Sequence, residues 1–388
     1  MPSYRELFST PDFTPLFLAS AGQSTAQTVG GLALATLVYG RTGSALLSSL
    51  AMFGTAFAQV VGALSVLSGA DRLPPRAAMA GVGVLFAAGT AVQALPGLPV
   101  WALFVVLLGL GVIGSVGGGV RYGLLGEILA RDAYVVGRSA LNAAAGVTQI
   151  CGFALGGVLV TSVSAPGVLL LSAALHALAA VAAGCGLGSR PPRGAGPLSI
   201  AATWRTNAHL WSGAPRRNVY LALWIPNGLI VGVESLYVPY APGDAGLLFA
   251  CGAVGMLAGD IVAGRLLPPR WRERMAVPLC LLLAIPFLFF SLRPALPVAM
   301  ALVAVATFGY AAGLLLQERL MALTPDALSG QALGLHSSGM LAMQGVGAAV
   351  AGALAELTSP GAGMVLAAMA SVAVTLVLRP GLAAGLRA

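Results

Sequence analysis

Long, continuous apolar runs set the pattern of this chain. A helix needs roughly 20 apolar residues to cross a bilayer. Twelve such runs can be marked, at 15–39, 45–69, 77–97, 99–128, 138–161, 164–187, 218–240, 244–266, 275–292, 295–317, 329–357 and 360–378. Pro96-Gly97, Pro166-Gly167, Pro242-Gly243 and Pro360-Gly361 punctuate them as short turns. A membrane β-barrel would instead read as segments of about ten residues with alternating polarity. The pattern therefore predicts an all-α integral membrane protein with twelve transmembrane helices.

The longest polar interval runs from Gly188 to Asn218. It predicts two six-helix bundles, 1–188 and 218–388, joined by a cytoplasmic linker at 189–217. Within the linker, Leu198, Trp204, Leu210 and Trp211 could line an interfacial helix with Arg205 turned to water. A plain basic linker is the alternative. The halves echo each other. SGADRLPPR, Ser68 to Arg76, is matched by AGRLLPPR, Ala263 to Arg270, and both fall between the second and third runs of their half. A second echo pairs GLLGEILARD from Gly123 with GLLLQERLMA from Gly313. Parallel repeats of this kind are a mark of one large transporter class.

Composition excludes a soluble fold. The chain is 58% hydrophobic and 8% charged, against about 25% charged in soluble domains. All 20 basic residues are arginine, and their placement orients the chain. With the N-terminus inside, Arg72, Arg76, Arg131, Arg138, Arg190, Arg193, Arg205, Arg216, Arg217, Arg265, Arg270, Arg272, Arg274 and Arg319 fall on the cytoplasmic side. Arg41 and Arg293 fall outside. This predicts a multi-pass protein of the cytoplasmic membrane with both termini cytoplasmic. The net charge of +8 then reads as orientation, and no nucleic-acid partner is expected. The first run follows Asp12 with no basic stretch before it, so it reads as a retained span rather than a cleaved signal. Cys151, Cys185, Cys251 and Cys280 lie in apolar runs without CxxC spacing, so neither disulfides nor a metal site is expected. No HExxH, GxSxG or Walker loop occurs, and Gly117-Gly118-Gly119 lies inside a span. A non-enzyme without a cofactor is expected.

Polar groups inside spans carry the remaining information, because each is costly in hydrocarbon. Glu234 sits in the seventh run, with Asn227 seven residues earlier on the same face and Tyr237 one turn later. Placed at mid-span, Glu234 is a candidate for substrate binding or proton carriage, or else a carboxylate touching water near the surface. Pro226 and Gly228 are expected to loosen that helix. Arg121 in the fourth span could bind an anionic substrate or pair with a carboxylate of another span, whereas Glu127 and Arg131 are spaced to pair with each other. Gln23 and Gln27 share one face, Asn142 and Gln149 another, and His336, Met340 and Gln344 a third. His176 and His209 carry no expected role. Small-residue spacing at Gly54, Ala58 and Gly62, at Gly152 and Gly156, and at Gly345 and Ala349 suits close helix packing.

Over nearly its whole length the chain resembles the major facilitator superfamily. Gly62, Gly69, Asp71-Arg72 and Arg76 resemble that family's loop 2–3 signature. Leu34 to Leu50, Arg121 to Leu125, Arg131-Asp132 and Ala140 to Asn142 resemble its macrolide-efflux and siderophore-exporter branch. Gly152 and Gly156-Gly157 are similar to an exporter signature, with Phe153 where that signature has proline. Gln23 stands where many relatives carry an acid, and Val105 where many drug exporters carry arginine. The resemblance implies that the first span of each triplet faces a cavity, which favours Gln23, Gln27 and Glu234. It also implies a cytoplasmic gate built from Asp71, Arg72, Arg76, Glu127, Arg131 and Asp260, in which Asp71 would face the start of the eleventh span near Gln331. The expected function is secondary active transport of a small amphipathic molecule by alternating access, with export as the direction and protons as a possible coupling ion. A monomer is expected, with the small-molecule substrate and the lipid bilayer as its partners. An importer or facilitator of the same fold is an alternative, as is a non-transporting sensor or scaffold.

Overall fold

The computed structural model describes residues 4–70, 73–129, 131–192, 200–325 and 328–384. Those residues are almost wholly helical, as the runs predict. A short α1 (Tyr4–Ser9) is followed by α2 (Phe13–Thr42), α3 (Ala45–Ala70), α4 (Pro75–Gln93), α5 (Val100–Ile128), α6 (Arg131–Ser162) and α7 (Ala165–Gly186). Helix α8 (Ile200–Ser212) lies in the linker. Then come α9 (Ala214–Ser235), the single turn α10 (Tyr237–Tyr240), α11 (Ala245–Ile261), α12 (Pro269–Ala284), α13 (Leu296–Phe308), α14 (Ala312–Ala322), α15 (Ser329–Leu357) and α16 (Pro360–Ala384). A π-helical turn, Val262–Leu266, extends α11, and a 3₁₀ stretch, Ile285–Leu292, extends α12. The 3₁₀ turn Gly309–Ala311 joins α13 to α14 as one span.

Among the described residues, eleven helices are long and apolar enough to cross a membrane. The remaining predicted span is α2, which is 30 residues long. Its Gln23, Ser24, Thr25, Gln27 and Thr28 dilute its apolarity below that of the other eleven. The same polar cluster makes α2 important to the site below.

The chain packs as two compact units. The first comprises Met1–Arg41 and Ala58–Pro197; the second comprises Thr42–Phe57 and Leu198–Ala388. The first half of α3 thus belongs to the second unit. There Gly352 lies against Leu46 and Gly345 against Phe57, so small residues of α15 make room for the α3 backbone. The Glu356 carboxylate accepts bonds from the Ser44 hydroxyl (3.1 Å) and the Leu46 amide (3.3 Å). It therefore satisfies a donor that the first turn of α3 leaves unpaired.

In the first unit, Leu7, Phe13, Leu16, Leu124 and Leu125 form one buried cluster. An ion network closes the same end. Arg190 lies 2.7 Å from Asp12 and 3.7 Å from Glu127, and the Gly188 amide donates to Asp12 at 2.9 Å. Arg190 is thus a partner of Glu127; the side chain of Arg131, the expected partner, lies outside the described residues. In the second unit, Arg272 donates to the carbonyls of Gly264 and Leu267, both at 3.1 Å, and lies 3.5 Å from Glu318. A cation at a helix C-terminus meets carbonyls with no amide of their own, so this arginine ties the π-turn to α12 and α14.

Helices α9 and α15 approach each other most closely at glycines. A Cβ on Gly228 would meet the Met343 carbonyl, one on Gly232 the Gly347 carbonyl, and one on Gly347 the Gly228 carbonyl. This corrects the expectation that Pro226 and Gly228 loosen the helix. Helix α9 runs unbroken through Pro226, and Gly228 is needed for contact. The linker helix is real and docks by one end. Leu210 is buried, and Trp211 stacks on Trp224 at 5.5 Å and on Tyr220 at 6.2 Å. Trp204 and Arg205 stay exposed, and Leu198 lies outside the described residues.

Candidate functional site

Within the first unit a cavity of ≈ 270 Å³ opens among α2, α3, α4, α5, α6 and α7. Among the described residues its polar lining is Ser20, Gln23, Ser24, Gln27, Gln59 and Arg121. Helical periodicity explains the first four. Positions 20, 23, 24 and 27 are spaced i, i+3, i+4 and i+7, so they form one ridge. Arg121 reaches the cavity because Gly114, Gly117 and Gly118, earlier on α5, leave its wall without side chains. Met79, Val82, Gly83, Ala145 and Ala179 supply the apolar remainder.

Behind this lining sits His176, which the sequence reading set aside. It is buried, lies 5.1 Å from the Phe86 ring centre, and its Nδ1 is 3.0 Å from Gln23 Oε1. With Gln23 accepting from an Nδ1–H, the histidine fixes which way the amide faces. The Ser20 hydroxyl is buried without a hydrogen-bond partner among the described residues, which is unusual for a buried polar group.

The second unit gathers the other candidates. Gln344 Nε2 donates to Asn227 Oδ1 at 3.2 Å, bridging α15 and α9. Asn227, His336 and Met340 line a smaller cavity of ≈ 40 Å³, with Gln317 and Tyr310. The shared face of His336, Met340 and Gln344 is therefore turned toward α9. His336 is buried, and its carbonyl accepts from Trp224 Nε1 at 3.0 Å.

Glu234 is placed differently from expectation. It is the penultimate residue of α9, just before the break at Leu236, and is not at mid-span. It is half-buried. The Tyr310 and Tyr237 hydroxyls lie near enough to interact with it, and neither makes a hydrogen bond of strict geometry among the described residues. An acid beside two buried phenols is a group that can take up or release a proton without leaving an ion bare. Tyr237 packs edge-on against Phe249 at 4.8 Å, and Tyr310 lines the smaller cavity together with Asn227.

The remaining candidates line neither cavity among the described residues. Gln149 is half-buried on α6 and is not among the residues lining either cavity. Asn142 lies on the same helix, with its side chain outside the described residues. Arg76 is exposed in the first turn of α4, and Asp260 is half-buried near the end of α11. Asp71 and Arg72 lie outside the described residues. At the start of α15, where Asp71 was expected to dock, Gln331 donates to Asn207 of the linker helix at 3.1 Å.

Ser20, Ser24, Gln59, Gln317 and Tyr310 were missed. The two serines were legible as part of the α2 ridge, and Gln59 and Gln317 as lone amides in apolar helices. Tyr310 gave no signal, because tyrosine is ordinary in such spans.

No family model matches the sequence, and no curated protein matches it. Solved structures share its fold. A POT family transporter in complex with a thioalcohol-conjugated peptide superposes with a TM-score of 0.73, at 12% identity over 94% of each chain. A bacterial homolog of the human lysosomal transporter Spinster, inward-facing and occupied, gives 0.72 at 14% identity over 100% of this chain and 98% of that one. A peptide transporter POT mutant in complex with alafosfalin gives 0.71 at 15% identity, over 100% and 99%. At such identities the likeness is one of fold: the chain has the all-helical major facilitator fold that these transporters have.

Proposed function

We propose that this protein is a secondary transporter that moves a small molecule across the membrane by alternating access. The observation that carries the reading is the first-unit cavity, where Arg121 and three glutamines meet inside a membrane bundle. Such groups are costly in hydrocarbon and are retained where they meet water or a solute. The cargo is a small amphipathic compound, export is the direction, and the cytoplasmic membrane is the location. The sequence resemblance of Leu34 to Leu50 and of Gly152 through Gly157 to exporters supports the direction.

Glu234 is proposed as the coupling group. Its carboxylate, flanked by Tyr237 and Tyr310, can be protonated in one state and released in another. The test is counterflow and efflux in reconstituted vesicles over a compound panel, with and without a pH gradient. Glu234→Gln should retain counterflow but lose the acceleration by the gradient. Unchanged acceleration would remove Glu234 from coupling, and no movement of any compound would remove the transport reading.

A further inference from the structure

We infer that Ser20 and Gln23 form a subsite of the first-unit cavity that reads a neutral carbonyl oxygen of the cargo, as in an amide, ester or lactone, and that His176 is the positioning residue for Gln23. The inference rests on reading this cavity as the cargo site, and it narrows the amphipathic class proposed above. Two observations carry it. The first is Ser20, which lines the cavity and is only 7% exposed. Other hydroxyls of α2 donate to the carbonyl four residues back: Thr25 to Ala21 at 2.9 Å, Thr28 to Ser24 at 3.0 Å and Thr36 to Leu32 at 2.8 Å. Ser20 makes no such bond, and its oxygen has no partner among the described residues. A buried hydroxyl left in this way costs stability until something completes the bond. The second is the contact between His176 Nδ1 and Gln23 Oε1, at 3.0 Å.

The chemistry follows from which end of the amide is taken. A carbonyl oxygen only accepts, so His176 Nδ1 carries the hydrogen of that bond. A free glutamine amide offers either a donor or an acceptor by turning over. Here turning over would set one N–H against another, so Oε1 stays on the histidine and Nε2 is left to the cavity that Gln23 lines. At this point the wall can only donate. The arrangement is firmly backed. The His176 ring lies 5.1 Å from the Phe86 ring. One turn before it on α7, Ser172 donates to the Ala26 carbonyl of α2 at 2.8 Å. One turn after it, Ala180 sits where a Cβ on Gly83 of α4 would fall. Positions 20 and 23 are i, i+3 neighbours, about 5–6 Å apart at Cβ. The Ser20 O–H and the Gln23 N–H can therefore both reach one carbonyl oxygen, which has two lone pairs. An ammonium group brings only donors and leaves Nε2 unpaired, and a hydrocarbon leaves both groups unpaired, a penalty that selects against each. At ≈ 270 Å³ the space lies near the lower end of ligand cavities, about 300–1,000 Å³, which favours compact cargo.

The test uses the full-length protein in lipid nanodiscs, with empty nanodiscs as the blank, and two matched probe pairs: N-phenylpyrrolidone against its thiolactam, and γ-phenylbutyrolactone against its thionolactone. Each pair keeps its ring shape and exchanges the carbonyl oxygen for sulfur, a poorer acceptor. In at least one pair the oxygen compound should bind about tenfold tighter, the factor that 1.4 kcal/mol gives. His176→Leu should erase that preference, because Gln23 is then free to turn over. His176→Asn, whose side-chain N–H stands near the place of Nδ1–H, should restore much of it. A histidine that only supports the fold would lower both affinities together and leave their ratio unchanged. Ser20→Ala should also reduce the preference, and it decides the matter if the His176 variants do not fold. The inference is overturned if no oxygen compound is bound and preferred, or if the full preference survives in folded His176→Leu or Ser20→Ala. Exchange of the same probes in vesicles is read separately. Preferred binding without exchange would leave the carbonyl site standing and remove the transport reading. Exchange of both members of each pair, with no preference between them, would do the reverse.

Discussion

Single residues decide how close two helices can come and which polar groups may stay in the membrane. Gly228 and Gly347 face each other's backbone across α9 and α15. Any side chain there must push a carbonyl away. Gly347→Ala should therefore destabilise the second unit by about 1–3 kcal/mol or more, the usual cost of overpacking, seen as a lower thermal midpoint in detergent. An alanine at Gly313, where nothing lies within 4 Å, should leave the midpoint nearly unchanged. At the cavity wall, Gln23→Leu strips buried His176 of its described partner. The cost should be about 1–3 kcal/mol, that of a buried group left unsatisfied, and Gln23→Glu should recover much of it. A midpoint unaffected by Gln23→Leu would show that His176 finds another partner.

At the scale of elements, the chain relies on charged groups to finish helices that hydrophobicity only starts. Glu356 receives the Ser44 hydroxyl and Leu46 amide at the head of α3. A carboxylate at a helix N-terminus is worth about 0.3–1 kcal/mol when exposed. Glu356→Ala should speed amide hydrogen exchange over Ala45–Ser49 while leaving the first turn of α4 unchanged. Equal rates in the two proteins would deny the cap. Much of this level was legible in the sequence. The twelve runs became helices, and 329–357 matches α15 end to end. Trp211 and Leu210 lie on a linker helix, one of the two readings that the sequence left open for that segment. What could not be read were the partners. Arg190 meets Asp12 and Glu127 from far along the chain, whereas spacing can suggest only near neighbours such as Glu127 and Arg131.

The chain packs as two compact units, and the arginine distribution predicts an orientation with both termini cytoplasmic. A cysteine introduced at Gly97, in the turn after α4, should react in intact cells with a membrane-impermeant maleimide after the native cysteines are replaced. One at Arg190 should react only after permeabilisation, and the reverse pattern would invert the topology. The sequence by itself determined that this is a helical membrane protein, how many long helices it has, where they turn and where its costly polar groups lie. Those are consequences of local composition, because each span must satisfy its own backbone in hydrocarbon. Only the tertiary structure decided that Gln23, Gln59 and Arg121 share a cavity, that Asn227 pairs with Gln344, and that Glu234 sits at a helix end beside Tyr310 instead of at mid-span. It also placed the first half of α3 with the second unit. Periodicity says which face a residue occupies on its own helix. Which helix that face meets depends on packing between segments far apart in the chain, and that information is not local.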